Sequence, residues 1–146
     1  MRHFAFIAFA ISMFMALCAC YDDKRPITFT ELPKYSQSFV KTYFSDKQVS
    51  AVFKEIHGKN DYEVFFNDGA QIEFTRKGDW DEVKDRDTDG IPTGFLPKAM
   101  VNHVATNFSG ANIIEINKEH SRFEVELSNG IELVFDLNGN FLRYDD

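Results

Sequence analysis

Apolar side chains recur at helical spacing from Leu32 to Phe44. Phe39, Val40, Tyr43 and Phe44 stand at i, i+1, i+4 and i+5, and Ser36 completes the stripe. Pro33 suits a first helical turn, where the missing N–H has no intrahelical partner to lose. The spacing therefore predicts a helix opened by Leu32-Pro33. The same pattern returns at Leu96-Pro97, with Met100, Val101, Val104 and Phe108 as the second stripe. Ser45-Asp46 and Gly110 are the stop signals.

After each helix the period changes from helical to two. Tyr62, Val64 and Phe66 alternate with Glu63 and Phe65, and Ala70, Ile72 and Phe74 with Gln71 and Glu73. Phe123, Val125 and Leu127 alternate with Glu124 and Glu126, and Ile131, Leu133 and Phe135 with Glu132 and Val134. One apolar face and one polar face is the signature of an antiparallel sheet covered on one side. Asp68-Gly69 and Asn129-Gly130 lie between such runs as hairpin turns, and Lys77-Gly78 and Asn138-Gly139 mark a second hairpin after each. Strands are predicted over 49–56, 61–66, 70–75 and 79–84, then over 112–118, 122–127, 131–136 and 140–144.

The two halves repeat one another. Leu32-Pro33-Lys34 returns as Leu96-Pro97-Lys98, Phe44 as Phe108 and Val52 as Ile116, all at an offset of 64. From Tyr62-Glu63-Val64 onward, which returns as Phe123-Glu124-Val125, the offset is 61. A unit of this length completes its core only against a neighbour. The expected architecture is α+β: two tandem repeats of one helix plus a four-stranded antiparallel sheet, with the helices on one face. Repeat 1 spans 32–84 and repeat 2 spans 96–146, joined by an acidic linker over 85–95.

Residues 1–19 read as a signal peptide. Arg2 and His3 precede a run from Phe4 to Leu17 that is apolar except for Ser12, too short to span a bilayer. The run ends Leu17-Cys18-Ala19-Cys20, which resembles a bacterial lipobox with Cys20 as the lipidated residue. More than one acyl chain on Cys20 would give stable anchoring. The alternative is an ordinary cleaved signal and a soluble exported protein. Residues 20–31 are expected to form a tether, and Asp22-Asp23 just behind Cys20 resembles a surface-export signal.

Cleavage before Cys20 removes one basic residue and moves the formal charge from −7 to −8. Net acidity argues against nucleic acid and against anionic headgroups, and permits a basic protein or peptide as partner. With Cys20 lipidated and Cys18 removed, no thiol remains for a disulfide or a metal, so the core alone must hold the fold.

The ordered set resembles one family. It runs Leu-Pro, aromatic-rich helix, Tyr/Phe-Glu-Val, Asp/Asn-Gly, an alternating strand ending in Phe, Gly, then an aromatic at Trp80 or Phe141. These residues are similar to the β-lactamase-inhibitor-like, PepSY-like lipoproteins and secreted proteins of Bacteroidetes, over about residues 32–144. The resemblance implies a curved sheet built from two such units and no catalytic residues. It also implies protein binding, since β-lactamase inhibitors and protease propeptides are the naming relatives. The chain departs from a true β-lactamase inhibitor in lacking disulfide cysteines and in its shorter repeats.

The alternation places Glu63, Phe65, Gln71, Glu73 and Thr75 on the uncovered face of repeat 1. It places Arg122, Glu124, Glu126, Glu132 and Val134, with Glu115, on that of repeat 2. Such a face reads as a charge-steered binding surface with isolated apolar anchors, or as a merely solvated sheet. Trp80 is expected to pack in the core or at a sheet edge, or to contact a ligand. Phe95 is expected to staple the second helix. Asp85, Asp87 and Asp89 before Gly90 resemble the start of a calcium loop, but position 12 of that loop is Leu96 rather than an acidic residue. His57, His103 and His120 have no metal-ligand spacing, and no phosphate loop, nucleophile elbow or HExxH is present. The reading is an exported, non-enzymatic binder of a protein or peptide, inhibition of an enzyme being one form of such binding. It needs no cofactor and sits at the outer membrane, facing the periplasm or the surface. The alternatives are a structural envelope component and a calcium or small-ligand sensor.

Overall fold

The computed structural model describes residues 23–57, 62–85, 87 and 89–145. Strand β1 (Lys24–Pro26) and a 3-10 turn (Phe29–Glu31) precede helix α1 (Lys34–Tyr43). Strands β2 (Val49–Glu55), β3 (Tyr62–Phe66), β4 (Gln71–Phe74) and β5 (Trp80–Lys84) follow. Helix α2 (Lys98–Asn107) then leads into β6 (Ile113–Glu119), β7 (Arg122–Leu127), β8 (Glu132–Asp136) and β9 (Phe141–Tyr144). All nine strands form one antiparallel sheet in sequence order. The halves are continuous, because β5 pairs with β6 through Glu82↔Asn117, Val83↔Ile116 and Lys84↔Glu115. The protein is thus α+β, with two helices on one open sheet.

The start of the described chain differs from the tether expected there. Glu31 closes a capping box with Thr28: its carboxylate accepts the Thr28 N–H at 2.7 Å, which fixes the chain before α1. Just upstream, β1 adds an edge strand to β2 with Lys24↔Glu55, Arg25↔Lys54 and Pro26↔Phe53 in register. The amide of Ile27 donates to Val52 O at 3.0 Å and that of Ile56 to Asp23 O at 2.8 Å. These bonds turn residues 23, 25 and 27 toward β2, so the nitrogen of Pro26 faces the outer edge, where no ladder bond is lost.

The helices bury one face of the sheet. Phe39, Val40, Phe44, Met100 and Val104 meet Val52, Val64, Ile72, Phe74, Ile116, Val125, Leu133 and Phe135 in one core. An aromatic seam joins the halves: Trp80 stacks on Phe123 at 5.9 Å and meets Phe95 edge-on at 5.2 Å. Phe95 also lies 4.9 Å from Phe39 and 5.3 Å from Tyr43, so its ring packs against α1. Trp80 thus packs at the seam, as the first of its two expectations has it.

Each helix sits on the second hairpin of its half. Ser36 Oγ, fully buried, donates to Gly78 O at 2.9 Å. A Cβ on Gly78 would lie 2.7 Å from Pro33 Cβ, and one on Gly139 would lie 2.6 Å from Pro97 Cβ and 2.9 Å from the Met100 nitrogen. Pro33 and Pro97 precede the first helical residue as N-caps, so the recurring Leu-Pro and hairpin Gly are two sides of one contact.

Bulges give the strands their final register. Ser50, Asp81, Ile114 and Leu142 are each an extra residue against the neighbouring strand. The shifts bring Trp80 opposite Phe74 and Phe141 opposite Phe135, both on the helix side. As the extra residue in β9, Leu142 is left 55% exposed.

Lys47, in the turn after α1, ties the first half to the linker. Its ammonium contacts Asp68 in the β3–β4 hairpin and lies 2.8 Å from Asp85 Oδ2. Burial lowers the Lys47 pKa, but the hydrogen bonds to Asp68 and Asp85 outweigh it and hold the value above that of an ordinary lysine. The hydrogen bond from Lys47 holds Asp68 below the usual carboxylate range. Asp68 therefore adds stability that is complete above its unfolded value of about 3.9 and is lost as pH falls through its lowered folded value. Lys47 adds stability that is complete below its unfolded value of about 10.4 and is lost only as pH rises through its raised folded value.

Two outcomes follow for stability. Gly130 and Gly139 both have positive φ, +83° and +85°, but a Cβ on Gly130 would meet nothing within 4 Å. Gly130→Ala should cost about 1–2 kcal/mol for the backbone conformation alone, and Gly139→Ala a further 1–3 kcal/mol or so for overpacking, as read by urea unfolding. Lys47→Met should flatten the loss of stability on acidification below about pH 4 relative to the parent chain; unchanged acid curves would show that the Lys47–Asp68 contact carries none of it.

Candidate binding face

Side chains opposite the helices form two rows across the strands. From β2 to β9 one row reads Phe53, Glu63, Glu73, Glu82, Asn117, Glu124, Val134 and Arg143. The other runs from β2 to β8 and reads Ala51, Phe65, Gln71, Lys84, Glu115, Glu126 and Glu132. The sequence alternation therefore brings its candidate residues onto one face, in two ordered lines.

The first half of the face neutralises itself. Lys24 reaches across the edge to Glu63 at 2.5 Å and to Glu55 at 3.6 Å. Lys84 bonds Glu82 at 2.7 Å. Burial lowers both lysines, yet the carboxylates around them, Glu63 and Glu55 for Lys24 and Glu82, Glu115 and Glu73 for Lys84, hold their pKa values raised. Phe53 and Phe65 meet edge-to-face at 5.8 Å and form the apolar part of the face. The Val49-x-x-Val52 break in alternation is the signal for the bulge at Ser50 that aligns Phe53 with this row.

The second half keeps its charge. Arg122 forks onto one Glu124 oxygen at 2.6 and 3.0 Å, and Arg143 holds Asp145 at 2.8 Å. Glu115, Glu126 and Glu132 stand directly opposite one another on successive strands. Among the described residues no ion pair or hydrogen bond engages the carboxylate of Glu126 or Glu132. A depression of about 150 Å³ opens here, lined by Glu115, Asn117, Glu124, Val125, Glu126, Glu132 and Asp145.

Several candidates differ from their expected settings. Glu63 is only 3% exposed, and Val134 is buried between Glu124 and Arg143 in register rather than offered to solvent. Thr75 is half-buried, and its hydroxyl has no partner. Asp85 is 2% exposed, and Lys47 and the Asp87 N–H occupy its carboxylate. Asp87 and Asp89 remain exposed, and no described group of three or more His, Cys, Asp or Glu is arranged to hold a metal. His103 stacks on Phe141 at 4.7 Å, while His57 and His120 are exposed in turns. Cys20 lies outside the described residues. No described helix is long and apolar enough to cross a membrane.

Residues 60–143 match a family model described as "Putative beta-lactamase-inhibitor-like, PepSY-like". Among solved structures, the chain resembles a "putative calcium-regulated periplasmic protein" of Bacteroides thetaiotaomicron: 36% identity, TM-score 0.79, covering 84% of this chain and 97% of that one. Two proteins of Bacteroides vulgatus, each described as a "putative periplasmic protein", are also similar. One has 36% identity and TM-score 0.78 over 86% of this chain and 98% of its own, the other 28% identity and TM-score 0.74 over 84% and 99%. No curated protein matches. The family model covers more than half of the chain, and the chain belongs to this PepSY-like, beta-lactamase-inhibitor-like family.

Proposed function

We propose that the chain is an exported, non-catalytic module that binds a basic protein or peptide through its open sheet face. The observation that carries this reading is the in-register row Glu115–Glu126–Glu132, with no described cation on Glu126 or Glu132. Like charges directly opposite on neighbouring strands cost up to about 1 kcal/mol per pair. A cationic partner removes that cost, and the net negative charge of the chain favours its approach. Strands already ordered in the sheet present these groups with little further loss of entropy.

The helix-plus-four-strand units are taken as a tandem duplication whose copies have diverged on this face. Phe65 in the first unit corresponds to Glu126 in the second, so one half offers an apolar contact and the other offers charge. Lipidation at Cys20 would hold the module at the outer membrane. The relatives described as periplasmic agree with export.

A calcium-sensing role is the second reading, and the calcium-regulated description of the Bacteroides thetaiotaomicron relative favours it. Against it, the Lys47 ammonium already occupies Asp85 of the Asp85–Asp87–Asp89 run.

Crosslinking pull-down from the native envelope with the full chain should capture a stoichiometric basic partner. Combined Glu124→Lys, Glu126→Lys and Glu132→Lys should cut that capture at least about tenfold; capture unchanged by the triple substitution would remove the face from the mechanism. Millimolar calcium should leave the melting temperature of the parent chain unchanged. A calcium-dependent rise, lost on Asp87→Asn with Asp89→Asn, would turn the choice toward the sensor.

A further inference from the structure

The edge beneath β1 holds a carboxylate that is buried but only half satisfied. Glu63 is 3% exposed, yet Lys24 engages only Oε1, and Oε2 has no partner. Thr75 Oγ1, also buried, is without a partner. Thr75 follows Glu73, the register partner of Glu63, by two positions and so falls on the same side of the sheet. A buried carboxylate oxygen left without a donor is costly, so Glu63 Oε2 marks a place where a donor is missing. What covers this place is slight: β1 has three residues, two of them exposed. Its side-chain anchor is Lys24, and the chain is next held to the core at Ile27 and Phe29.

We propose that β1 is an exchangeable strand: an extended partner segment bearing an arginine replaces residues 23–26 along β2 and delivers its guanidinium to Glu63. The inference rests on the reading of the chain as a binder of basic peptides, and it moves the point of recognition from the face to the β2 edge. Lys24 shows the chemistry of the occupant, a cation carried on an extended strand antiparallel to β2. An ammonium is a point charge that here meets one oxygen. A guanidinium presents a planar fork that satisfies both oxygens of a carboxylate. The backbone bond released by residues 23–26, which Asp23 O accepts from the Ile56 amide, is re-formed by any extended segment in the same register. Pro26 and Ile27 lie where the outgoing strand joins the anchored chain, so exchange requires no opening of the core.

The test is fluorescence anisotropy on the full chain. The probe is a labelled peptide copying residues 23–31 with Lys24→Arg, and the control is the same peptide with Lys24→Glu. The arginine peptide should bind at least about tenfold more tightly than the control, as a lost buried bidentate pair demands. Glu63→Gln in the protein should erase that difference, and Lys24→Ala in the protein should strengthen binding. A chain carrying Pro26→Cys and Phe53→Cys, opposite each other in a non-hydrogen-bonded pair, should lose binding when oxidised and regain it when reduced. Peptide binding that survives the oxidised staple would overturn the exchange and leave the open-face reading intact. Absence of binding even to the Lys24→Ala chain would also overturn it, while the envelope pull-down decides the face separately. Self-association of the parent chain that the staple abolishes would show that the occupant is a second copy, which overturns the proposed partner.

Discussion

Among the described residues, two ten-residue helices are all that covers a nine-stranded sheet. Nine strands at about 4.8 Å span roughly 38 Å, while two helices side by side cover about 20 Å. The shortfall explains the aromatic content of the connections. Phe95 and Phe108 fill what the helices leave uncovered, and Trp80 closes the seam between the halves. It also explains why the core thins at one edge, where Tyr144 is 56% exposed although it lies opposite the buried Leu133. Nothing in the described chain remains to cover the second face, so that face must carry polar side chains.

That requirement is met differently on the two halves. The first half balances its carboxylates with Lys24 and Lys84, and its aromatic pair, Phe53 and Phe65, takes no charge. In the second half, arginines hold Glu124 and Asp145, while Glu126 and Glu132 are left to solvent. The same backbone thus supports an internally paired surface and one on which Glu126 and Glu132 keep charge to offer a partner.

Much of this could be read in the sequence because period-two alternation and helical stripes report local geometry. The helices, hairpins and the side of the sheet for Glu73, Glu124, Glu126 and Glu132 followed from spacing. What escaped depends on contacts between distant residues or on broken period. Lys24 meets Glu63 from 39 positions away, which no local pattern encodes, so Glu63 read as exposed and β1 as tether. The bulge residues shift register by one, and alternation gave no warning that Asp81 would be buried or Leu142 exposed. Asp85 resembled the first position of a calcium loop because the cation beside it comes from Lys47, which lies beyond any loop motif.

The orientation of Pro26 has a consequence for many copies held close together. Sheet edges grow by recruiting further strands, and a proline whose nitrogen faces outward supplies no donor there. At the other end, the bulge at Leu142 interrupts the edge and the Arg143 guanidinium caps the Tyr144 carbonyl at 3.0 Å. Both ends of the sheet are thereby blunted. At high local concentration such molecules can crowd without polymerising edge to edge.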